Sequence, residues 1–348
     1  MIVRAPLSSL LCGLCAWAAF AANEPLFEDN VVVPLPHGLN RGITGDIEQL
    51  KDEALLFVYQ TGAGIVGRKS TDMGKTWGDE FSVYTPAKPP TIASPSLLRM
   101  DNGEILLSYL VLYNSGDCHQ YVQISSDECK TWGPAICSTP YPGYHTGNND
   151  RLVQLKSGRI ISPVDWCEDY NKEWHFRAVC FYSDDRARTW RRGGVVDLGT
   201  TTEEPGVVEL KDRRLLEIIR SEGGYVGKAY SSDQGITWTK PEMIKQLPAP
   251  RGPATIVRVP KTGELLIFFL YNQKIEEGSE RKRAPLATAI STDEGETWTH
   301  FRTELGPDPE GDYGYVGCTF IGDTALVNFH STDGIHVARV GVDWFCGK

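Results

Sequence analysis

One eight-residue pattern occurs five times in this chain: STDMGKTW (Ser70 to Trp77), SSDECKTW (Ser125 to Trp132), SDDRARTW (Ser183 to Trp190), SSDQGITW (Ser231 to Trp238) and STDEGETW (Ser291 to Trp298). The copies are spaced at roughly fifty to sixty residues, the span of one four-stranded propeller blade. Such a repeat constrains the fold strongly, because each unit buries its apolar face only against its neighbours. The pattern has a mechanical reading as a hairpin clasp. Asp72, Asp127, Asp185, Asp233 and Asp293 are placed to accept bonds from their own turns, glycine supplies a positive φ in three copies, and Thr-Trp restarts a strand with a large apolar anchor.

Around each clasp the blade pattern recurs. In the fourth repeat GVVEL, RLLEIIR, YVGKAYSS and WTKPEMI read as four successive strands, with turn signals between the first three. Past the last clasp, YVGCTFI, TALVNFHS and IHVARVGVDW make three strands that lack a fourth. The segment EDNVVVPLP, near the other end of the chain, is a spare strand. Closing the ring with it completes a sixth blade and removes an open sheet edge. The expected fold is therefore an all-β, six-bladed β-propeller in one domain over residues 23–348.

Residues 1–22 read as an export signal: Arg4, the apolar run LLCGLCAWAAF and the small-residue site Ala19-Phe20-Ala21. A lipid anchor on Cys15 fits less well, since Leu14 stands where a small residue is expected. The expectation is a secreted or periplasmic protein beginning near Ala22 or Asn23, without membrane insertion. A formal net charge of -10 argues against nucleic acid or an anionic membrane as partner, so an anionic ligand needs a local arginine cluster. Seven cysteines follow the signal, of which Cys129 and Cys137 are close enough in sequence to pair. None lies in a CxxC pair, and the histidines have no ligand spacing, so neither a metal nor a cofactor is expected. His37 and His145 precede inner strands and are placed to line a site.

In a propeller the first strand of each blade lies against the axis, and its leading end opens on one face. Aligned on their last apolar residue, the six inner strands carry Thr44, Ser94, Asn149, Glu204, Pro253 and Tyr315 at that end. This mostly polar register suits a ligand site. Three arginines fall at the same rim: Arg41 before the first inner strand, Arg220 at the end of RLLEIIR, and Arg283 just before PLATAIS.

With its five clasps, EEPGVVELKDRRLLEIIR, GNNDRLVQLKSGR, RAPLATAISTDEGETW and GDYGYVGCTF, the chain resembles the sialidase (neuraminidase) superfamily, in particular bacterial secreted sialidase-like proteins with Asp-box repeats. The resemblance covers nearly all of residues 23–348, and its most specific part is the Glu-Pro-x-Val-Val-Glu-Leu strand followed by one ending in arginine. It implies a glutamate-tyrosine pair at Glu204 and Tyr315, and a carboxylate clamp of Arg41, Arg220 and Arg283. The sequence NRGIT around Arg41 departs from the usual Arg-Ile-Pro. It also implies an aspartate acid. The loop YQTGAG holds none, so Asp46 stands in, with Asp150 behind it. Asn149 and Asp150 are candidate substrate-binding groups or simply fix a turn, and Glu204 with Arg220 could equally be a stabilising pair.

The function so implied is an exo-glycosidase that removes terminal sialic acid with retention, acting on sialylated or related acidic glycans. Two alternatives stay open: a glycosidase of the same superfamily for another sugar, and a carbohydrate-binding Asp-box propeller without catalysis.

Overall fold

The computed structural model describes residues 26–34, 44–86, 91–272 and 282–347. Six antiparallel sheets follow one another along the chain, and we number them as blades 1 to 6. Blades 1, 2, 4 and 5 run from the inside outwards in chain order; for example blade 4 comprises Thr202–Glu209, Leu215–Ser221, Tyr225–Ser231 and Glu242–Pro248. The sixth is completed out of order. Its chain-order strands Gly314–Ile321, Thr324–Ser331 and Gly334–Gly341 are joined by Phe27–Pro34, which pairs antiparallel to the last of them with Phe27 opposite Val340. The spare segment thus closes the ring, as the strand count demands. Residues 1–22, expected to be an export signal, lie outside the described residues, and among the described residues no helix is long and apolar enough to cross a membrane.

The clasps behave as the spacing of their residues requires. In blade 1, Asp72 Oδ1 accepts from Ser70 Oγ at 2.8 Å and from Thr76 N at 2.9 Å, while Oδ2 accepts from Thr76 Oγ1 at 2.6 Å. The same bonds recur around Asp127, Asp185, Asp233 and Asp293. Where the glycine is replaced, Cys129 and Ala187 adopt the left-handed conformation instead. One detail differs from expectation. In blade 4 Thr237 and Trp238 precede the outer strand, which begins only at Glu242, and the indole packs instead against the apolar layer between blades 3 and 4.

Apolar layers between successive blades form the core, such as Val208, Leu216, Ile218, Ile256, Ile267 and Phe269 between blades 4 and 5. The axis is narrow. At Gly45 a Cβ would stand 1.7 Å from Val58 O, so only glycine lets the two strands of blade 1 approach there. The seven cysteines among the described residues are free: Cys129 packs in the layer between blades 1 and 2, whereas Cys137 lies on the outer strand of blade 2 opposite Tyr121.

Candidate active site

The site is built on irregularities in the inner strands. The pairing register shifts between Ala93 and Ser96 in blade 2, between Glu203 and Gly206 in blade 4, and between Gly314 and Gly317 in blade 6. At these bulges Ser94, Glu204 and Tyr315 take positive φ values of 50°, 44° and 56°. A non-glycine residue in this region is strained and re-aims its side chain, and such features gather at functional sites. In blade 3 the left-handed residue is Asp150, at φ 52°, one position beyond the Asn149 of the sequence alignment.

Four of the expected residues come together. Arg220 Nη1 donates to Glu204 Oε2 at 2.6 Å, with both side chains close to nine-tenths buried. The guanidinium of Arg283, 6% exposed, stands over the Tyr315 ring with its carbon 5.7 Å from the centroid. Its Nη1 is buried and has no hydrogen-bond partner among the described residues. Glu204 and Tyr315 feel one another's charge. Burial pushes the Glu204 carboxyl upward, but Arg220, and then Arg283, outweigh it and hold the group below its usual 4.5. For the Tyr315 phenol, burial and then the negative Glu204 raise the pKa, with Arg283 and Arg220 acting in the opposite direction.

Sequence reasoning missed three neighbours of this pair. Glu203 accepts a bidentate pair of bonds from Arg251, both at 2.9 Å, and lies 3.3 Å from Arg220 Nε, so Arg220 is held between two carboxylates. Asp165, on the second strand of blade 3, is 2% exposed and its Oδ1 accepts from Glu204 N at 3.3 Å. Burial, then Glu203 and Glu204, push its carboxyl well above the usual range. Arg151, 3% exposed, donates to Asp150 O, Thr255 Oγ1 and Ala254 O beneath the site. The signal for Glu203 and Arg151 was their adjacency to Glu204 and Asp150. Asp165, near the end of a second strand, was outside the register that was compared.

Asp46, Asn149 and Asp150 are engaged in hydrogen bonds with backbone groups of the inner strands. Asp46 is 2% exposed, and its oxygens accept from Ile47 N at 2.7 Å and from Leu97 N at 2.9 Å, which ties blade 1 to blade 2. Asn149 is fully buried, and its Nδ2 donates to Gly45 O at 2.7 Å and Tyr315 O at 3.1 Å, joining blades 1, 3 and 6. Asp150 Oδ2 accepts from Cys318 N at 2.7 Å across the axis. The physical reason is the close approach of the inner strands: polar groups at the rim or one or two residues below it meet the backbone amides and carbonyls of other blades. Arg41 and His37 lie outside the described residues. His145 is fully buried and stacks on His119 at 5.1 Å, with burial and then His119 lowering its pKa to about 3. No group of three or more His, Cys, Asp or Glu suited to a metal ion occurs among the described residues.

Comparison with known proteins adds a family and a fold. Residues 51–326 match the BNR repeat-like domain. A curated sialidase of Micromonospora viridifaciens is 27% identical over 325 residues, covering 81% of this chain and 47% of its own. A sialidase of Clostridium perfringens is 24% identical over 199 residues, half of this chain and 52% of its own. The chain thus spans about half the length of these curated relatives. Among solved structures, the Hadza microbial sialidase Hz136 superposes with TM-score 0.72 at 20% identity, over 88% of this chain and 66% of that one. A protein of unknown function from Dyadobacter fermentans gives 0.69 at 18%, over 90% and 99%. At these identities the structural likeness is one of fold.

Proposed function

Because the chain belongs to the BNR repeat-like domain family, and because Glu204 and Tyr315 meet between Arg220 and Arg283, we propose that it is a retaining exo-glycosidase acting on terminal sialic acids. The observation that carries this reading is the pair itself. Two residues from blades 4 and 6, both in strained backbone, bring a carboxylate and a phenol under the influence of the same two arginines. The sialidase relatives in the sequence comparison support the choice of sugar.

The chemistry follows from the substrate. An α-sialoside carries a carboxylate on its anomeric carbon, and a second carboxylate would approach it against charge repulsion. A neutral phenol made nucleophilic by an adjacent base avoids this. In the proposed scheme Glu204 takes the proton from Tyr315, whose oxygen attacks the anomeric carbon and forms a covalent glycosyl-enzyme. Arg220 and Arg283, with Arg41, bind the substrate carboxylate through charge-assisted bonds. The departing oxygen needs a proton. Asp46 is bound at both oxygens by backbone amides, whereas Asp165 adjoins Glu204 and accepts an amide at Oδ1 alone among the bonds described, so we assign the supply to Asp165. Water then attacks the glycosyl-enzyme, giving retention overall.

The test is release of sialic acid from an α-sialoside by the purified protein, with NMR of the first-formed anomer. Tyr315→Phe removes the nucleophile and abolishes turnover, and Glu204→Ala lowers kcat by about 10²- to 10⁴-fold. Turnover that survives both substitutions, or an inverted product, refutes the scheme. Binding without turnover by the unmodified protein points to a carbohydrate-binding propeller instead.

A further inference from the structure

The hairpin joining the second and third strands of blade 3, residues 168–176, reads EDYNKEWHF and is unusually aromatic. It lies on the same face as Glu204, since the second strand runs back toward the leading end of the first. Its rings form a continuous array. Tyr170 stacks on Tyr144 with centroids 4.6 Å apart, Trp174 stands 4.8 Å from Tyr170, and Phe176 meets Trp174 edge-on at 5.6 Å. Trp174 nevertheless remains 54% exposed. Isolated exposed apolar residues need no explanation, but an indole held in place by half-buried tyrosines and the buried Phe176 marks a surface prepared for a partner.

The array is fastened to the strand that carries the catalytic pair's glutamate. Thr201 Oγ1 donates to Trp174 O at 3.1 Å and Thr202 N to Phe176 O at 2.9 Å. Glu204 follows three residues after Thr201 in extended chain, so the platform stands on the order of 10 Å from the bond to be broken. We infer that Trp174 and Tyr170 form a binding platform for a neutral saccharide, the second or third sugar of the glycan whose terminal residue occupies the Arg220–Arg283 pocket. This rests on the function proposed above.

Charge decides between a neutral and an acidic sugar. Glu168, Asp169 and Glu173 of the hairpin, with Asp197 beside it, stand against Lys172 and Arg177, which pair with Asp169, Glu173 and Asp197, and His175, which meets Asp197, so the formal balance is negative. A second sialic acid would be repelled here. A neutral pyranose presents an apolar C–H face that suits the negative face of an aromatic ring, and its hydroxyls can reach the surrounding carboxylates. The structure therefore separates two recognition tasks: arginines for the terminal acid, aromatic rings for the uncharged chain behind it.

The experiment compares kcat/KM for methyl α-sialoside, which has no second sugar, with that for a sialic acid linked to a neutral tetrasaccharide. In Trp174→Ala the ratio of the long to the short substrate falls about three- to tenfold, mainly through KM, and Trp174→Phe restores most of it. A disialyl-terminated chain gains less from the platform than the neutral chain in the wild type. An unaltered ratio in Trp174→Ala, or an equal gain for both chains, overturns the inference. Titration of the neutral tetrasaccharide alone, followed by tryptophan fluorescence, keeps the two readings apart. If no sialoside is turned over, the proposed function fails while binding that is lost in Trp174→Ala still supports the platform. Absence of such binding by the wild type at millimolar sugar overturns it.

Discussion

Glu217 offers the most quantitative test of how this propeller is held together. It lies on the second strand of blade 4, opposite Val207 of the inner strand, with its side chain fully buried toward blade 3. Its Oε1 accepts from Cys180 Sγ at 3.4 Å, and its Oε2 has no hydrogen-bond partner among the described residues. Burial pushes the carboxyl up to about 8, with the Cys180 contact acting weakly in the opposite direction. The unfolded chain titrates near the ordinary 4.5. Between these values the folded state binds more protons than the unfolded one, so stability falls as pH rises through the window. At a little over 1 kcal/mol per pH unit, the loss between pH 5 and pH 8 integrates to roughly 3–4 kcal/mol. Glu217→Gln keeps the shape and removes the titration. Other buried acids also titrate, so the informative quantity is the difference between the two proteins. Urea unfolding at pH 5 and pH 8 should show the variant close to the wild type at pH 5 and more stable by roughly 3 kcal/mol at pH 8. A difference that does not change with pH refutes the argument, because it means that Glu217 ionises in the fold without cost.

Two further outcomes follow from the geometry. Ser231 is 1% exposed, accepts from Gly235 N at 2.9 Å and donates to Asp233 Oδ1 at 2.8 Å, so Ser231→Ala leaves a buried amide and should lower stability by about 1–3 kcal/mol in urea unfolding; a loss under about 0.5 kcal/mol would show that the clasps are incidental. Arg220 and Arg283 hold Glu204 below 4.5, so its base form persists down to that pH and the acidic limb of kcat/KM should fall below it. Should that limb instead centre near pH 6, a group other than Glu204 is the base.

The parts of the fold legible in the sequence are those fixed by short-range rules. Ser70, Asp72, Gly74 and Thr76 close a turn whose bonds span two to four residues, and five copies of that turn mark five of the six blades. Three strands after the last clasp need an edge partner, which identified the strand now seen at Phe27–Pro34. The same alternation placed Glu204, Arg220 and Tyr315 at matching ends of their strands.

What escaped depends on one extra residue in a strand or on contacts across the ring. The blade 3 irregularity makes Asp150, not Asn149, the left-handed residue, and no local rule distinguishes the two. Asp46 meets an amide 51 residues away, and Gly45 O meets Asn328 at a separation of 283. Asp165 and Arg251 reach the site from other blades through bonds to Glu204 and Glu203. The sequence by itself determined the repeat, the number of blades and which strand ends face the axis, because turn chemistry and period-2 alternation act between near neighbours. Tertiary structure alone decided which of the polar groups at the axis stay open to a ligand and which are consumed in joining blades, because that choice depends on how closely six strands from distant parts of the chain approach one another.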